Sequence, residues 1–242
     1  MSLPKINTPE YRLNIPSTDE EISYRPFLVK EEKVLLIAQE TGDDKAIYNA
    51  IKNLVDSCTF GKCDVEKMPL FDLEYIFLNI RAKSVGEVSN IEVTCPDDGE
   101  TKVKVDIDLT KIKVEMDEKH DARIQLTDDI GILMSYPHLG NLATIQVNDA
   151  TKQLDNLFQM IYDCMYQIWQ GEETFDAMDY TLKDKKEFIE SLNHEQFAKI
   201  QNFFETMPSV KQNIEVENPK TKVKSTITLS GMNSFFCSPL SY

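Results

Sequence analysis

The sequence predicts an α+β protein with a helical body, a small β-rich insertion and a C-terminal β-hairpin. Three observations favour this fold class. Apolar residues recur at helical spacing between residues 29 and 85 and again after residue 153. Between residues 88 and 136 they alternate with polar residues, as in half-buried strands. Near the C-terminus, two alternating runs flank the turn residues Asn218-Pro219.

The N-terminal segment predicts a hairpin and two helices. Alternating apolar residues indicate strands at residues 11–15 and 22–26, joined by the polar turn PSTDEE. A helix is expected from about Val29, and the GDD motif of residues 42–44 ends it. Apolar residues then keep helical spacing up to Cys58, which predicts a second helix.

A third helix, Phe71–Ile80, is apolar on nearly every side. Such a helix must be buried in a core or against a partner. Arg81 and Lys83 lie in its last turn, where positive charge complements the helix dipole, and Gly86 follows. We expect this helix to pack between the first two helices and the aromatic helices that come later in the chain.

The segment from Gly86 to Tyr136 is predicted to be rich in β-structure. Its PDDGE motif, residues 96–100, indicates a hairpin turn. Ile124 and Leu126 alternate with polar neighbours, and the run GILMSY before Pro137 predicts another strand.

Helices are predicted to resume after Pro137. Apolar residues from Leu154 to Ile168 follow helical spacing for about four turns. Thr181 with Asp184 marks the start of another helix, and Asn193 with Gln196 resembles a capping box at the start of the last one. Two final strands are expected, at residues 211–217 and 222–229. The sequence thus predicts three segments, residues 1–85, 86–136 and 137–242.

The composition excludes several classes of function. The 242 residues carry a net charge of −15, with 41 acidic and 26 basic residues and no basic stripe, so we expect no nucleic-acid partner and no anionic membrane partner. No apolar run reaches the roughly 18 residues that span a bilayer. The first fifteen residues lack the basic and apolar regions of a signal peptide, so the five cysteines are expected to be free thiols in a reducing cytoplasm.

No catalytic, cofactor-binding or metal-binding residues are predicted. Cys58 and Cys63 form one close pair, but a structural zinc site needs two such pairs. The histidines at positions 120, 138 and 194 are scattered. Cys95 precedes a hairpin turn, where a zinc knuckle would carry a second cysteine at the position of Asp98, and no second knuckle follows within residues 101–136. The sequence also lacks nucleotide-binding, nucleophile-elbow and metalloprotease motifs.

Several segments together resemble one known family. These are RPFLVKEEKVLLIAQE at Arg25–Glu40, MPLFDLEYIFLNIRAKSVGE at Met68–Glu87, ARIQLTDDIGILMSYP at Ala122–Pro137 and the C-terminal TITLSGMNSFF. In these stretches the chain is similar to the baseplate hub assembly proteins of T-even-type contractile-tailed bacteriophages. Some relatives carry Cys-x-x-Cys where this chain has Cys95-Pro-Asp-Asp98, so residues 86–136 are expected to be a degenerate zinc-ribbon-like module without metal.

The resemblance implies a non-enzymatic tail assembly protein, acting as a chaperone or assembly factor for the baseplate hub. Its implied partners are other phage hub or tail proteins, and its implied location is the host cytoplasm during assembly, or the virion baseplate. A permanent structural subunit of the baseplate is one alternative. A cysteine- or zinc-dependent enzyme built on Cys58, Cys63 and Cys95 is another. The expected contact surfaces are the loop after Arg81 and the aromatic tail, Met232–Tyr242.

Overall fold

A computed structural model describes residues 6–41, 44–142 and 153–231 of the chain. Its contacts divide the protein into two units. The terminal unit combines the chain up to Glu115 with the chain from Ser209 onward, and the inserted unit is Met116–Pro208. The predicted mixture of helices and small sheets, an α+β fold, is confirmed.

The terminal unit begins with the expected hairpin and two helices. Strand β1 (Tyr11–Asn14) pairs antiparallel with β2 (Glu21–Tyr24). Helix α1 (Val29–Thr41) and helix α2 (Asp44–Cys58) follow and pack against each other. The helical spacing identified both helices because each places an apolar face against its neighbour.

Helix α3 (Leu70–Ser84) confirms the predicted third helix and its burial on all sides. Its partners differ from those expected. It packs against α2, a 3₁₀ turn at Leu109–Lys111, strand β5 (Lys113–Glu115) and strand β10 (Ser209–Glu217). The aromatic helices expected to cover it lie in the inserted unit instead, because their apolar faces form the core of that unit.

A buried carboxylate joins α3 to the hairpin. Asp72, in the first turn of α3, is fully buried, and Ser17 donates to it from both its backbone N–H, at 3.0 Å, and its hydroxyl. Burial raises the pKa of Asp72, while the two hydrogen bonds from Ser17 act in the opposite direction. The acidic residue therefore ties the turn between β1 and β2 to the start of the helix.

Two small antiparallel sheets complete the terminal unit. Strand β3 (Val88–Thr94) and strand β4 (Lys102–Asp108) form a hairpin around the predicted PDDGE turn. Strand β11 (Lys224–Ser230) pairs with β10, and β10 pairs with β5 on its other side. The predicted C-terminal hairpin is thus confirmed, although its first strand also pairs with a strand almost a hundred residues earlier.

The inserted unit holds a four-stranded antiparallel sheet in the order β6-β7-β8-β9, with helices around it. The helices are short α4 (Leu139–Leu142), α5 (Gln153–Cys164), α6 (Leu182–Glu190) and α7 (His194–Thr206). The strands are β6 (Arg123–Gln125), β7 (Ile130–Met134), β8 (Met165–Gln170) and β9 (Glu173–Asp176). Both predicted helix starts are confirmed, because complete capping boxes form at Thr181 with Asp184 and at Asn193 with Gln196.

The prediction of one helix from Leu154 to Ile168 is wrong in its last turn, Met165–Ile168. The helix ends at Cys164, and the next residues form β8 in the middle of the sheet. Ile168 pairs with Ile132 of β7 on one side and with Phe175 of β9 on the other. Met165 and Ile168 fit a helical spacing of three residues, but pairing on both edges outweighs that local pattern.

One glycine in this sheet is required by packing. Gly131 lies directly opposite Trp169, and a Cβ at position 131 would lie 1.9 Å from the indole ring. The Arg123 guanidinium lies 4.1 Å from the indole ring centroid, as in a cation–π contact. Gly131 therefore gives Trp169 the space to lie on the strand.

The predicted segments divide the chain at other places than the contacts do. The stretch 86–136 was expected to be one β-rich insertion, whereas its first two strands and β5 belong to the terminal unit and β6 and β7 to the inserted unit. Long-range pairing of β5 with β10 and of β7 with β8 accounts for this division.

Candidate functional site

Within the described residues, the cysteines considered for metal binding or catalysis are not brought together with other metal ligands. Cys58 is fully buried, and burial raises the pKa of its thiol to about 11. Burial likewise raises the pKa of Cys63. Across residues 6–41, 44–142 and 153–231, no group of three or more His, Cys, Asp or Glu side chains could hold a metal ion. Cys237 lies outside the described residues.

The three histidines occupy unrelated places. His120 stacks with Tyr136 at a ring-centroid distance of 5.5 Å and packs against Phe203 at 5.0 Å with the rings tilted by 37°. Its Nδ1 lies 2.9 Å from the Thr206 hydroxyl. Burial lowers the pKa of His120, so the neutral ring is favoured. The His138 ring accepts a hydrogen bond from the Gly140 N–H at its Nδ1, and His194 is the first residue of α7.

The Cys95 turn has the geometry of a closed β-hairpin turn. The thiol-bearing residue is buried, its N–H donates to the Thr101 carbonyl at 2.7 Å, and its carbonyl accepts from the Gly99 N–H at 2.9 Å. Asp98 accepts from both the backbone N–H, at 2.9 Å, and the hydroxyl, at 2.6 Å, of Thr101. Asp98, at the position where a zinc knuckle would carry its second cysteine, therefore stabilises the turn from within.

A second turn, between β10 and β11, meets this one. The buried Asn218 side-chain amide donates to both Asp97 oxygens at 3.0 Å and to Asp98 at 2.9 Å. The Thr221 hydroxyl also donates to Asp97. Hydrogen bonds from Thr221 and Asn218 hold the pKa of Asp97 below its usual range. The pKa of Asp98 is lowered first by its hydrogen bonds from Thr101 and then by the one from Asn218. We call this set of residues, Asp97, Asp98, Asn218 and Thr221, the turn clasp.

The turn clasp has the spacing of a paired knuckle without its thiolates. Asn218 and Thr221 are three residues apart, as are Cys95 and Asp98, and the two turns face each other through hydrogen bonds. An amide and a hydroxyl are poor ligands for structural zinc, which takes thiolate or imidazole. Asn218 lies outside residues 101–136, the stretch in which the sequence lacks a second knuckle. Its only signal was the matching spacing in the later turn.

The expected loop after Arg81 is shorter than predicted, because α3 continues to Ser84 and β3 begins at Val88, and two valines are exposed at this connection. Val85 and Val88 are 53% and 59% exposed, on either side of Gly86, whose φ of 141° favours glycine. Arg81 itself is largely buried and donates to the Ser89 hydroxyl at 3.1 Å. The second expected contact surface, Met232–Tyr242, lies outside the described residues.

Helix α1 carries another exposed apolar face. Val29, Val34 and Ile37 are 79%, 50% and 51% exposed, and the exposed Lys30 and Lys33 lie between them in the sequence. A cavity of about 340 Å³ adjoins Val34 in the groove between α1 and α2.

The inserted unit has an apolar cavity of about 310 Å³ beside the β8–β9 hairpin and α6. We call it the hairpin pocket. Its apolar lining is supplied mainly by the sheet and the 3₁₀ turn at Ala177–Asp179, and includes Met165, Ile168, Phe175, Ala177 and Phe188.

Within the described part of the chain, no helix has the length and apolar character needed to cross a bilayer. The model of a protein family described as T4 bacteriophage base plate protein matches residues 8–237. No curated protein and no solved structure gives a significant match.

Proposed function

Because the chain belongs to the T4 bacteriophage base plate protein family, we propose that it is a non-enzymatic tail assembly protein that helps to build the baseplate hub. It acts as a chaperone or assembly factor through protein–protein contacts with other hub or tail proteins. Its place of action is the host cytoplasm during assembly.

The observation that carries this proposal is the extent of the family match, which spans both units of the chain. The exposed apolar side chains of α1, of the loop after Arg81 and of the hairpin pocket support it. Apolar surface left in water is characteristic of proteins that bind other proteins.

The chemistry of the thiols supports a non-enzymatic role. A nucleophilic cysteine needs a lowered pKa or a nearby base, whereas burial raises the pKa of Cys58 to about 11 and that of Cys164 to about 12. Cysteine-to-serine variants at positions 58, 63 and 95 would test the enzyme alternative, with zinc analysis of the purified protein as the second measurement.

Affinity purification of the tagged full-length protein from infected cells tests the proposal. We expect hub subunits to be enriched with it, and hub assembly to fail when its gene is disrupted. Normal hub assembly without the protein, together with no enrichment of any hub component, would overturn the proposal.

The alternative is a permanent structural subunit of the baseplate, which the family description also favours. Mass spectrometry of purified virions separates the two. A fixed copy number in every virion supports the subunit, whereas its presence in assembly intermediates and absence from virions supports the assembly factor.

We propose the loop after Arg81 and the C-terminal tail as contact surfaces. Replacing Val85 and Val88 by Lys should weaken binding to hub proteins. Val223→Lys is the control, because Val223 is also exposed, at 45%. Deleting residues 232–242 should weaken assembly. Unchanged assembly after either change would refute that surface.

A further inference from the structure

We propose that the hairpin pocket of the inserted unit receives an apolar side chain from a partner protein, in a segment where Lys or Arg residues flank that side chain. This inference rests on the proposed assembly function and adds the chemistry of the partner. The contact surfaces proposed above lie elsewhere in the chain.

We call the exposed segment Met178–Leu182 the rim of the hairpin pocket, because it directly follows the lining residue Ala177 in the sequence and contains the lining residue Tyr180. Met178 is 82% exposed, Leu182 is 53% exposed and Tyr180 is 44% exposed. Tyr180 also lines the cavity and meets Phe175 edge-on at 6.4 Å. Methionine and aromatic side chains are enriched at the centres of protein interfaces, and exposed Met adapts its shape to a partner. An apolar floor with such a rim suits an inserted side chain.

The charge around the pocket selects the partner. The segment Gly171–Tyr180 forms the turn, β9 and the 3₁₀ turn. It contains no Lys or Arg, and it carries four exposed carboxylates, at positions 172, 173, 176 and 179. Among the described residues, none of the four takes part in an ion pair within 4.0 Å.

The lysines of neighbouring α6 do not neutralise this segment. Lys183 pairs with Glu187 at 3.6 Å and Lys186 with Glu190 at 3.7 Å, within the helix. Lys185 lines the pocket beside Asp184 and keeps its positive charge, because it donates to the neutral Tyr162 carbonyl at 3.3 Å. Residues 171–190 nevertheless carry seven carboxylates and three lysines, a net charge of −4. The surface next to the pocket is therefore acidic, and complementary charge on the partner favours both its approach and its orientation.

Site-specific photo-crosslinking tests the inference in infected cells. The full-length protein would carry p-benzoylphenylalanine in place of Met178, and the same residue in place of Glu205 would be the control, because Glu205 is exposed on α7 and does not line the pocket. We expect position 178 alone to give a crosslink to another phage protein, in a segment with an apolar residue between basic ones.

Charge reversal gives the quantitative test. With the crosslinked segment as a synthetic peptide, Glu172→Lys with Asp179→Lys should raise the dissociation constant at least tenfold. Glu118→Lys with Glu205→Lys makes the same change in net charge at exposed sites in the same unit and should leave binding within twofold. Equal losses in both double variants would overturn the inference.

The outcomes for the pocket and for the function can be told apart. If hub proteins still co-purify but position 178 gives no crosslink, or crosslinks to an acidic segment or to a second copy of this chain, the pocket inference fails alone. If no hub protein co-purifies, the proposed function fails with it.

Discussion

The turn clasp is open to direct perturbation through Asn218→Ala. Asn218 is 1% exposed, its amide donates to Asp97 and Asp98, and its carbonyl oxygen accepts from the Lys220 N–H at 2.9 Å. A hydrogen bond to a charged group contributes about 1.5–3 kcal/mol to stability. Both aspartates can regain water, so we expect the lower part of this range, a loss of about 2 kcal/mol in the free energy of unfolding.

Chemical and thermal denaturation followed by circular dichroism measure this change. For a chain of this size, a loss of about 2 kcal/mol lowers Tm by about 4–8 °C. Asn213→Ala is the matched control, because Asn213 lies on the same hairpin but is exposed. It should change stability by less than about 0.5 kcal/mol.

The pH dependence gives the same test an independent readout. The pKa of Asp97 and of Asp98 is lowered in the folded protein, so the clasp stabilises the fold above the ordinary carboxyl pKa of about 4. That contribution is lost as the pH falls through the folded-state values. The stability difference between wild type and Asn218→Ala should therefore be full at pH 7 and shrink below pH 4. A stability difference between the two proteins that is near zero at pH 7, or that does not change with pH, would refute the stabilising role of the turn clasp.

Three further changes have defined outcomes. Gly131→Ala should cost about 2–3 kcal/mol in denaturant unfolding, because a methyl group collides with the Trp169 ring; a loss under 1 kcal/mol would contradict this packing. Burial lowers the pKa of His120, so the stability that depends on its neutral ring is present above about pH 6.5 and is lost as the pH falls below that value. His120→Phe should therefore make the melting temperature vary less between pH 7 and pH 5. An unchanged dependence of the melting temperature on pH would contradict this. Asp72→Ala should cost about 1–3 kcal/mol, because it leaves the Ser17 donors without an acceptor. Asp72→Asn should cost less at pH 7, because burial, which raises the pKa of Asp72, disfavours the ionised carboxylate and not the neutral amide. Equal losses of stability in thermal melts of the two variants would contradict the buried hydrogen bonds.

Local patterns predicted most of the fold. The capping residues at Thr181 and Asn193 mark their helices, because a cap is formed within four residues. The all-apolar α3 was predicted to be buried, but not its partners, because β5 and β10 come from distant parts of the sequence. Strand β8 was mistaken for helix since its identity depends on pairing with β7 and β9.

The candidate site was harder to predict for the same physical reason. Asn218 lies 120 residues from Asp98, and only folding brings their turns together. The hairpin pocket likewise joins side chains from β7 to α6, and no single stretch of sequence shows its apolar floor. The sequence did indicate the absence of a second knuckle cysteine at position 98. It could not show that hydrogen bonds take its place.

Quantitative mass spectrometry of hub intermediates purified from infected cells through this protein tests the assembly role most directly. We expect baseplate hub subunits to be enriched in a reproducible ratio, and intermediates to accumulate or to be lost when the protein is absent. A preparation without any hub or tail protein, from cells that assemble normal baseplates without this chain, would contradict it.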